Sequence, residues 1–541
     1  PLFRPIKYSL FPPLGLATLA SWLGPDDTAE LVDEHVQTLD WDDAPDLVVI
    51  QVYITNAWRA YAIADHYRAR GVRVLLGGLH VTSLPEEAAA HADTIFLGPG
   101  DQTFPQFLAD LHAGTPRPRY VSTSGRTLAG IPPVRRDLID RALYLVPNSI
   151  VVSRGCPHRC GFCYRDAFFA GGKGFYTQAV DDALAEIERL PGRHLYFLDD
   201  HLLGNHRFAR QLFAAMRGMG RLFQGAATVA SILDGDLIER AAEAGLRSVF
   251  IGFETLDAGN LTASNKGHNL GRDYDAAIRR LDDLGVMVNG SFVFGLDGDG
   301  LDVFSRTVDW AASRGLVTAT FHVATPYPGT PYFAEIAGQD RLLHQDWARY
   351  DTRQTVFRPR LLSPQALEDG YWKAYRDFYS WRNIARGSRA HATWGRSLKH
   401  LAYAGGWKRL EPLWELGPEQ LARHGAELFD DLDPGGRSWT YLPYGPLAGP
   451  GELTELLATI AGSGSVLPYA VRTPGGPTTG LIAYLNLVPR NGSIEIGHVH
   501  LGAVAEDRHL AERHPVGRLH GRGGLLLEAL AAGAVGFSTG R

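Results

Sequence analysis

The chain has 541 residues, a formal net charge of −6 and an ordinary balance of apolar, charged and aromatic residues, which suits a soluble protein of about two to four domains. So small a charge supplies no chain-wide field for nucleic acid or an anionic membrane, no apolar run reaches transmembrane length, and no signal peptide is visible. A reduced, cytoplasmic setting is the expectation, because the only three cysteines lie too close together to read as a disulfide framework.

In chain order, residues 1–125 read as a doubly wound (Rossmann-like) α/β unit. Asp46–Tyr53 is a buried-strand run, Ala57–Arg70 a helix, and Val72–Leu76 a strand that ends at Gly77-Gly78. Ser83–Ala90 begins a further helix, and Thr94–Leu97 is a strand before Gly98-Pro99-Gly100. Glycines beyond strand ends let backbone approach a flat, bulky cofactor in the crevice where such sheets bind ligands. With Pro12-Pro13-Leu14-Gly15 near the start, the pattern resembles the cobalamin-binding domain that precedes many radical S-adenosylmethionine (SAM) barrels. That resemblance implies a cobalamin site with Gly77 and Gly78 against the cofactor. The cobalt-ligating run D-x-H-x-x-G is incomplete: Asp33-Glu34-His35-Val36-Gln37-Thr38 has threonine where glycine belongs, and some family methylases leave that cobalt face open. The start at Pro1-Leu2-Phe3 leaves no room for a full opening strand, so a domain that only recognises substrate is the competing expectation.

After a linker over 126–148 comes Ser153-Arg-Gly-Cys156-Pro-His-Arg-Cys160-Gly-Phe-Cys163-Tyr164, which holds every cysteine of the chain. Three thiolates are one short of the four that close an iron–sulfur cluster, and a catalytic metal site keeps such a position open. The alternative is zinc, with His158 as fourth ligand. Structural zinc takes its ligands as two separated pairs, however, and no second pair exists. The C-x3-C-x2-C spacing, with an aromatic before the last cysteine, resembles the radical SAM enzymes. It implies a 4Fe–4S cluster on Cys156, Cys160 and Cys163, and SAM chelated to the remaining iron. An electron donor such as flavodoxin or ferredoxin would drive release of a 5′-deoxyadenosyl radical. No cysteine remains for an auxiliary cluster or a methyl-cysteine intermediate.

Residues 149–345 alternate strand and helix patterns, as βα units do. The strand candidates are Ile150–Ser153, Leu195–Leu198, Ala226–Ala230, Ser248–Phe253, Val288–Phe294 and Thr320–Ala324. Helical stretches between them include Val180–Leu190, Phe208–Met219, Leu237–Ala244 and Tyr274–Leu284. The expected form is a partial (βα)6 barrel with its chemistry at the C-terminal strand ends. Family resemblance places Asp199 near the methionine amine of SAM, Glu254 near the ribose hydroxyls and Phe162 near adenine. For Asp200 and His201, a helix cap or satisfied loop weighs equally with a direct role.

Residues 346–415 read as a helical, basic extension. Tyr371, Tyr375 and Tyr379 share one helical face and are expected to pack. From Arg382 to Arg409 no acid interrupts Arg386, Arg389, Arg396, Lys399 and Lys408, which is a solvated face or a docking surface for an anionic partner. In residues 416–541, Ser438–Pro446, Thr479–Leu485 and Ser493–Val499 resemble part of a GNAT acetyltransferase. Arg518-Leu-His-Gly521-Arg-Gly523 matches its pyrophosphate loop, and Leu525–Ala532 is the candidate helix. The chain ends at Arg541 before the strands that complete that fold, so an incomplete GNAT-like region is expected rather than a working acetyltransferase.

Together these readings point to a radical SAM enzyme acting on a small molecule, with cobalamin-dependent methylation of an unactivated carbon first. A cyclase or rearrangement enzyme without methyl transfer is the alternative, and an iron–sulfur or cobalamin sensor comes third.

Overall fold

The structure is a computed structural model and describes residues 10–123, 125–410 and, by their backbone, three strands at 466–472, 478–488 and 493–501. Two compact units are present, one spanning Tyr8–Trp407 and the other containing the three strands between 466 and 501. Among the described residues no helix is long and apolar enough to cross a membrane.

The first sheet contains β1 (Leu47–Gln51), β2 (Arg73–Gly77), β3 (Thr94–Leu97) and β4 (Arg119–Val121), all parallel and in that order. Side chains alternate across it. Val74, Leu76 and Ile95 pack with the helix Ala57–Ala69, whereas Leu75 and Phe96 pack with Phe104 and Phe107 of the helix Thr103–His112. Coverage on both faces explains why these strands read as continuous apolar runs. The described strands follow sequence order without a reversal, so the switch point expected of a doubly wound sheet is not among them. The helix expected from Ser83 is two short ones, Leu79–Ser83 and Pro85–Ala89. Pro85 lacks an N–H and suits a first helical position, so it starts a new helix rather than continuing the old.

The linker is firmly held. Arg126 is buried and donates to the carbonyls of Ser122 (2.9 Å), Phe169 (2.6 Å) and Ala170 (2.9 Å). It therefore ties the first sheet to the segment that follows the cysteines.

The second sheet is the partial barrel. Its strands are β5 (Ser149–Ile150), β8 (His194–Phe197), β9 (Leu222–Ala227), β10 (Leu246–Glu254), β11 (Met287–Phe294) and β12 (Thr318–Val323), all parallel in the order β12-β11-β10-β9-β8-β5. The strands β6 (Ser153–Gly155) and β7 (Phe175–Thr177) form a separate antiparallel pair beside β5. Four of the six strand candidates overlap their strands closely, and the first, Ile150–Ser153, shares only Ile150 with β5 and Ser153 with β6. The third is displaced: β9 begins at Leu222, and Thr228 ends it by capping the helix Val229–Leu233 through the Ser231 N–H, an N-cap that competes with strand. The helix-facing core runs through Val249, Ile251, Phe253, Phe292, Phe294 and Phe321.

The open edge of this sheet explains the tyrosine stripe. On β12, the Ala319 N–H donates to Tyr379 Oη at 3.2 Å, and that hydroxyl donates to the Ala319 carbonyl at 3.0 Å. One turn earlier, the Tyr375 hydroxyl treats Phe321 in the same way at 3.1 and 3.3 Å. The helix Pro364–Phe378 thus satisfies an unpaired strand edge with side-chain hydroxyls, a burden that open sheets must meet somehow. In the basic segment, Arg386 pairs with Asp309 at 2.8 Å and Arg396 with Asp282 at 3.1 Å, so part of that charge is spent on the barrel's own helices.

In the other unit, β13 (Val466–Arg472), β14 (Thr478–Val488) and β15 (Ser493–Leu501) form an antiparallel sheet in sequence order. It contains the strand runs Thr479–Leu485 and Ser493–Val499. The stretches Ser438–Pro446, Arg518–Gly523 and Leu525–Ala532 lie outside the described residues.

Tyr379→Phe removes both edge bonds at Ala319 and leaves a buried N–H and C=O without partners. Urea unfolding is expected to show a loss of about 1–3 kcal/mol.

Candidate active site at the cysteine loop

Residues 156–174 leave the molecule between β6 and β7 and return, so the antiparallel pair closes the base of the loop. Gly155 makes that closure possible. It has φ +76°, and a Cβ there would lie 2.1 Å from the Gly174 carbonyl oxygen, so no other residue fits. All three cysteines are free and only partly buried. Burial raises the Cys156 thiol above its ordinary pKa and pushes Cys160 to about 11 and Cys163 to about 12. In the absence of a metal all three are protonated at neutral pH, so metal binding must displace their protons. Among the described residues no three His, Cys, Asp or Glu side chains converge on a single ion position, as a structural zinc would need. A cubane instead gives each thiolate its own iron.

His158 does not stand by as a fourth ligand. Its ring stacks on His268 with centroids 3.8 Å apart and lies 5.7 Å from the roughly parallel ring of His201. Burial lowers the pKa of His158 and pushes His201 and His268 to about 3, so the stack is uncharged. His201 caps no helix, since Asn205 caps the next one, and its Nε2 lies 3.4 Å from Thr228 Oγ1.

Asp199, expected near the methionine amine of SAM, has partners within the protein. It is buried, and its carboxylate accepts from the Val152 N–H at 3.2 and 3.3 Å and from the Ser153 hydroxyl. Both oxygens thus face the β5–β6 connection. Burial raises its pKa to about 7. Asp200 is exposed, and Tyr164 Oη lies 3.4 Å from its carboxylate. The Asp200 charge and burial push the Tyr164 hydroxyl well up.

Glu254 stands at the end of β10, as expected, with φ +64°. That conformation is costly for a residue with a Cβ and tends to mark functional sites. Its carboxylate pairs with the buried Lys266. The pair folds over Gly252, where a Cβ would meet Glu254 Oε1 at 2.3 Å. Phe162 is half-buried. Other polar strand ends are structural: Asp297 pairs with Arg341 at 2.8 Å, and Thr330 caps the helix Pro331–Gly338.

The first sheet presents its strand ends to this loop. A Cβ on Gly98 would lie 3.2 Å from the Phe168 carbonyl oxygen, and one on Gly329 would lie 3.0 Å from Ala167 Cβ and 3.3 Å from Ser83 Oγ. Asp101, just past Gly100, accepts from Arg154 at 3.2 Å and from the Tyr176 hydroxyl at 3.4 Å. Gln51 and Tyr53 are bonded at 2.8 Å beyond β1, and Tyr53 is exposed. Gly78 is required by its own sheet, because at φ +116° a Cβ would meet the Val52 carbonyl oxygen at 2.7 Å. Gly77 is less constrained, with Phe96 Cβ at 3.4 Å. His35 is a surface side chain held by Asp33 at 2.8 Å. Sequence reasoning missed Lys266, Arg154, Asp101, Tyr53 and Tyr164 as site residues. Only Tyr164 carried a signal, its place directly after Cys163.

The family model described as "Radical SAM superfamily" matches residues 150–311. This barrel is a radical SAM domain. The match starts at β5 and takes in the cysteine loop, Asp200, Glu254 and Lys266. Over 346 residues the chain is 29% identical to a bacteriochlorophyllide d C-12(1)-methyltransferase of Chlorobaculum tepidum, covering 62% of this chain and 75% of that protein. It is 25% identical over 419 residues to an anaerobic magnesium-protoporphyrin IX monomethyl ester cyclase of Rubrivivax gelatinosus, covering 68% of this chain and 74% of the relative. Among solved structures, the radical SAM methyltransferase TsrM of Kitasatospora setae, with cobalamin and a [4Fe-4S] cluster bound, superposes with TM-score 0.53. That likeness holds at 16% identity and covers 73% of this chain and 96% of TsrM. The shared fold extends beyond the radical SAM domain into the first sheet. The chain is a radical SAM enzyme.

The two aspartates separate by role. Asp200→Asn is expected to cut SAM cleavage at least about tenfold with an unchanged melting temperature. Asp199→Asn is expected to cost about 1–3 kcal/mol of stability, since an amide NH2 would face the Val152 N–H; thermal unfolding and 5′-deoxyadenosine assays read both.

Proposed function

We propose that the protein is a cobalamin-dependent methyltransferase acting on an unactivated carbon of a small molecule. The observation that carries this reading is the meeting of the two sets of strand ends, with Gly98 against Phe168 and Gly329 against Ser83 and Ala167. One compact unit thus holds a radical-generating loop beside a glycine-lined sheet edge. Support also comes from a methyltransferase relative matched over most of its length and from a structural neighbour solved with cobalamin.

When bound, the cluster would supply the electron that opens a C–S bond of SAM, and cobalamin would carry the methyl group. The chain's own residues do the rest. Cys156, Cys160 and Cys163 would hold three irons and leave the fourth open. Glu254, steadied by Lys266, offers carboxylate oxygens to ribose hydroxyls. Asp200 and Tyr164 offer polar groups at the cleft, and Phe162 offers a ring face. A corrin would lie beyond the strand ends of the first sheet, near Gly77 and Gly78 and beside Tyr53 and Gln51, whereas the Cβ positions of Gly78, Gly98 and Gly100 face Val52, Phe168 and Leu19. His35 is exposed and held by Asp33, and a cobalt face left open by the protein would not need it. An electron-donor protein, flavodoxin or ferredoxin in kind, would complete the reaction.

A ring-forming reaction without methyl transfer is the second reading, favoured by the cyclase relative. The two differ in by-products. Protein reconstituted anaerobically with iron, sulfide and hydroxocobalamin is expected to retain about one cobalamin per chain. With SAM, reductant and a small-molecule extract, methyl transfer yields S-adenosylhomocysteine and 5′-deoxyadenosine in about equal amounts, because one SAM gives the methyl group and another the radical. 5′-Deoxyadenosine without S-adenosylhomocysteine would point to the cyclase-type reaction. Cys160→Ala is expected to abolish both products and most of the bound iron.

A further inference from the structure

Residues 264–269 lie between two parts of the site and touch both. Toward the cysteine loop, the Gly161 N–H donates to the Ser264 carbonyl at 2.8 Å, and Asn265 Nδ2 donates to the Arg159 carbonyl at 2.6 Å. Toward the strand end, Lys266 pairs with Glu254, and Asn269 Nδ2 donates to the Gly252 carbonyl at 3.0 Å. Asn265 takes φ +52°, a left-handed conformation that Asn tolerates better than most residues, and this turn lets the segment face both ways. His268 completes it. Its ring lies flat on His158, with an interplanar angle of 15°, and His158 is the aromatic side chain between the first two cysteines.

We propose that residues 264–269 form a clamp that sets the cysteine loop against the Glu254 strand end, with His268 as its positioning residue. Between Cys156 and Cys163 the loop has neither helix nor strand, and its one recorded internal backbone bond joins the Cys163 N–H to the Cys160 carbonyl at 3.1 Å. Its shape therefore depends on outside contacts, and the segment 264–269 supplies two hydrogen bonds and a ring stack. A SAM molecule spanning the open iron and Glu254 would need these ends at a set separation, and the clamp is the short covalent path that holds both. A face-to-face ring stack asks for a flat ring face rather than a particular nitrogen. Phenylalanine should therefore replace His268, and alanine should not.

The inference rests on the radical SAM reading, and one set of measurements separates the two. Wild type, His268→Ala and His268→Phe are reconstituted anaerobically. Each is then compared by iron per chain, by the electron paramagnetic resonance spectrum of the reduced cluster with and without SAM, and by KM for SAM in 5′-deoxyadenosine formation. In His268→Ala the SAM-induced spectral change is expected to weaken and KM to rise about tenfold, the scale of losing one ring stack; His268→Phe is expected to restore both. If His268→Ala binds no iron, recovery of iron in His268→Phe supports the clamp. His268→Ala behaving as wild type, or His268→Phe failing as His268→Ala does, overturns it. A wild-type chain that binds no iron and cleaves no SAM sinks the radical SAM reading and the clamp with it.

Discussion

A loop that must carry three thiolates to one cluster cannot be held by secondary structure of its own, and the architecture around residues 156–163 follows from that constraint. The antiparallel pair of β6 and β7 closes the base, where Gly155 passes too near the Gly174 carbonyl for any side chain. Asp199 fixes the approach from below by binding Val152 and Ser153. Arg126 gathers the carbonyls of Phe169 and Ala170 on the far side. Asp199 and Arg126 are buried, and a buried polar group left unpaired costs more than its bond returns. The network therefore tolerates little alternative geometry.

A partial barrel has a second difficulty, since an open parallel sheet leaves a strand edge exposed. Here the β12 edge is met by Tyr375 and Tyr379, whose hydroxyls imitate a neighbouring strand. The same post-barrel segment reaches the first sheet. Trp347 donates to Glu87 at 3.1 Å, and Glu87 also accepts from Tyr61 and His80. Trp347 and Tyr350 are buried among the side chains of that sheet's helices. Residues far from the cysteines in sequence thus hold the two sheets in the relation that the chemistry needs, a link from packing to function that no active-site motif contains.

Much of the site's position was legible in the chain. The cysteine spacing, the six βα repeats and the glycine-rich strand ends are local patterns, and local patterns survive folding because they are set by backbone geometry and periodicity. Less legible were the choices between neighbours. Asp199 and Asp200 are chemically equal in sequence, and the strand's twist and the nearby Val152 N–H decide which carboxylate is spent on structure. Lys266 gave no signal at all, because its partner Glu254 stands twelve positions earlier and the two meet only when the turn at Asn265 brings them together.

The sequence by itself determined the chemistry on offer: three thiolates and no more, hence one cluster with an open iron, and glycines where a large flat cofactor could lie. These follow from composition and spacing, which folding does not alter. Only the tertiary structure decided which carboxylate bonds to the β5–β6 connection, that the tyrosine stripe closes a sheet edge, and that His158 lies in a stack rather than standing by as a ligand. Those outcomes depend on burial and on hydrogen-bond geometry between residues distant in the chain, and both come into being only when the strands are in register.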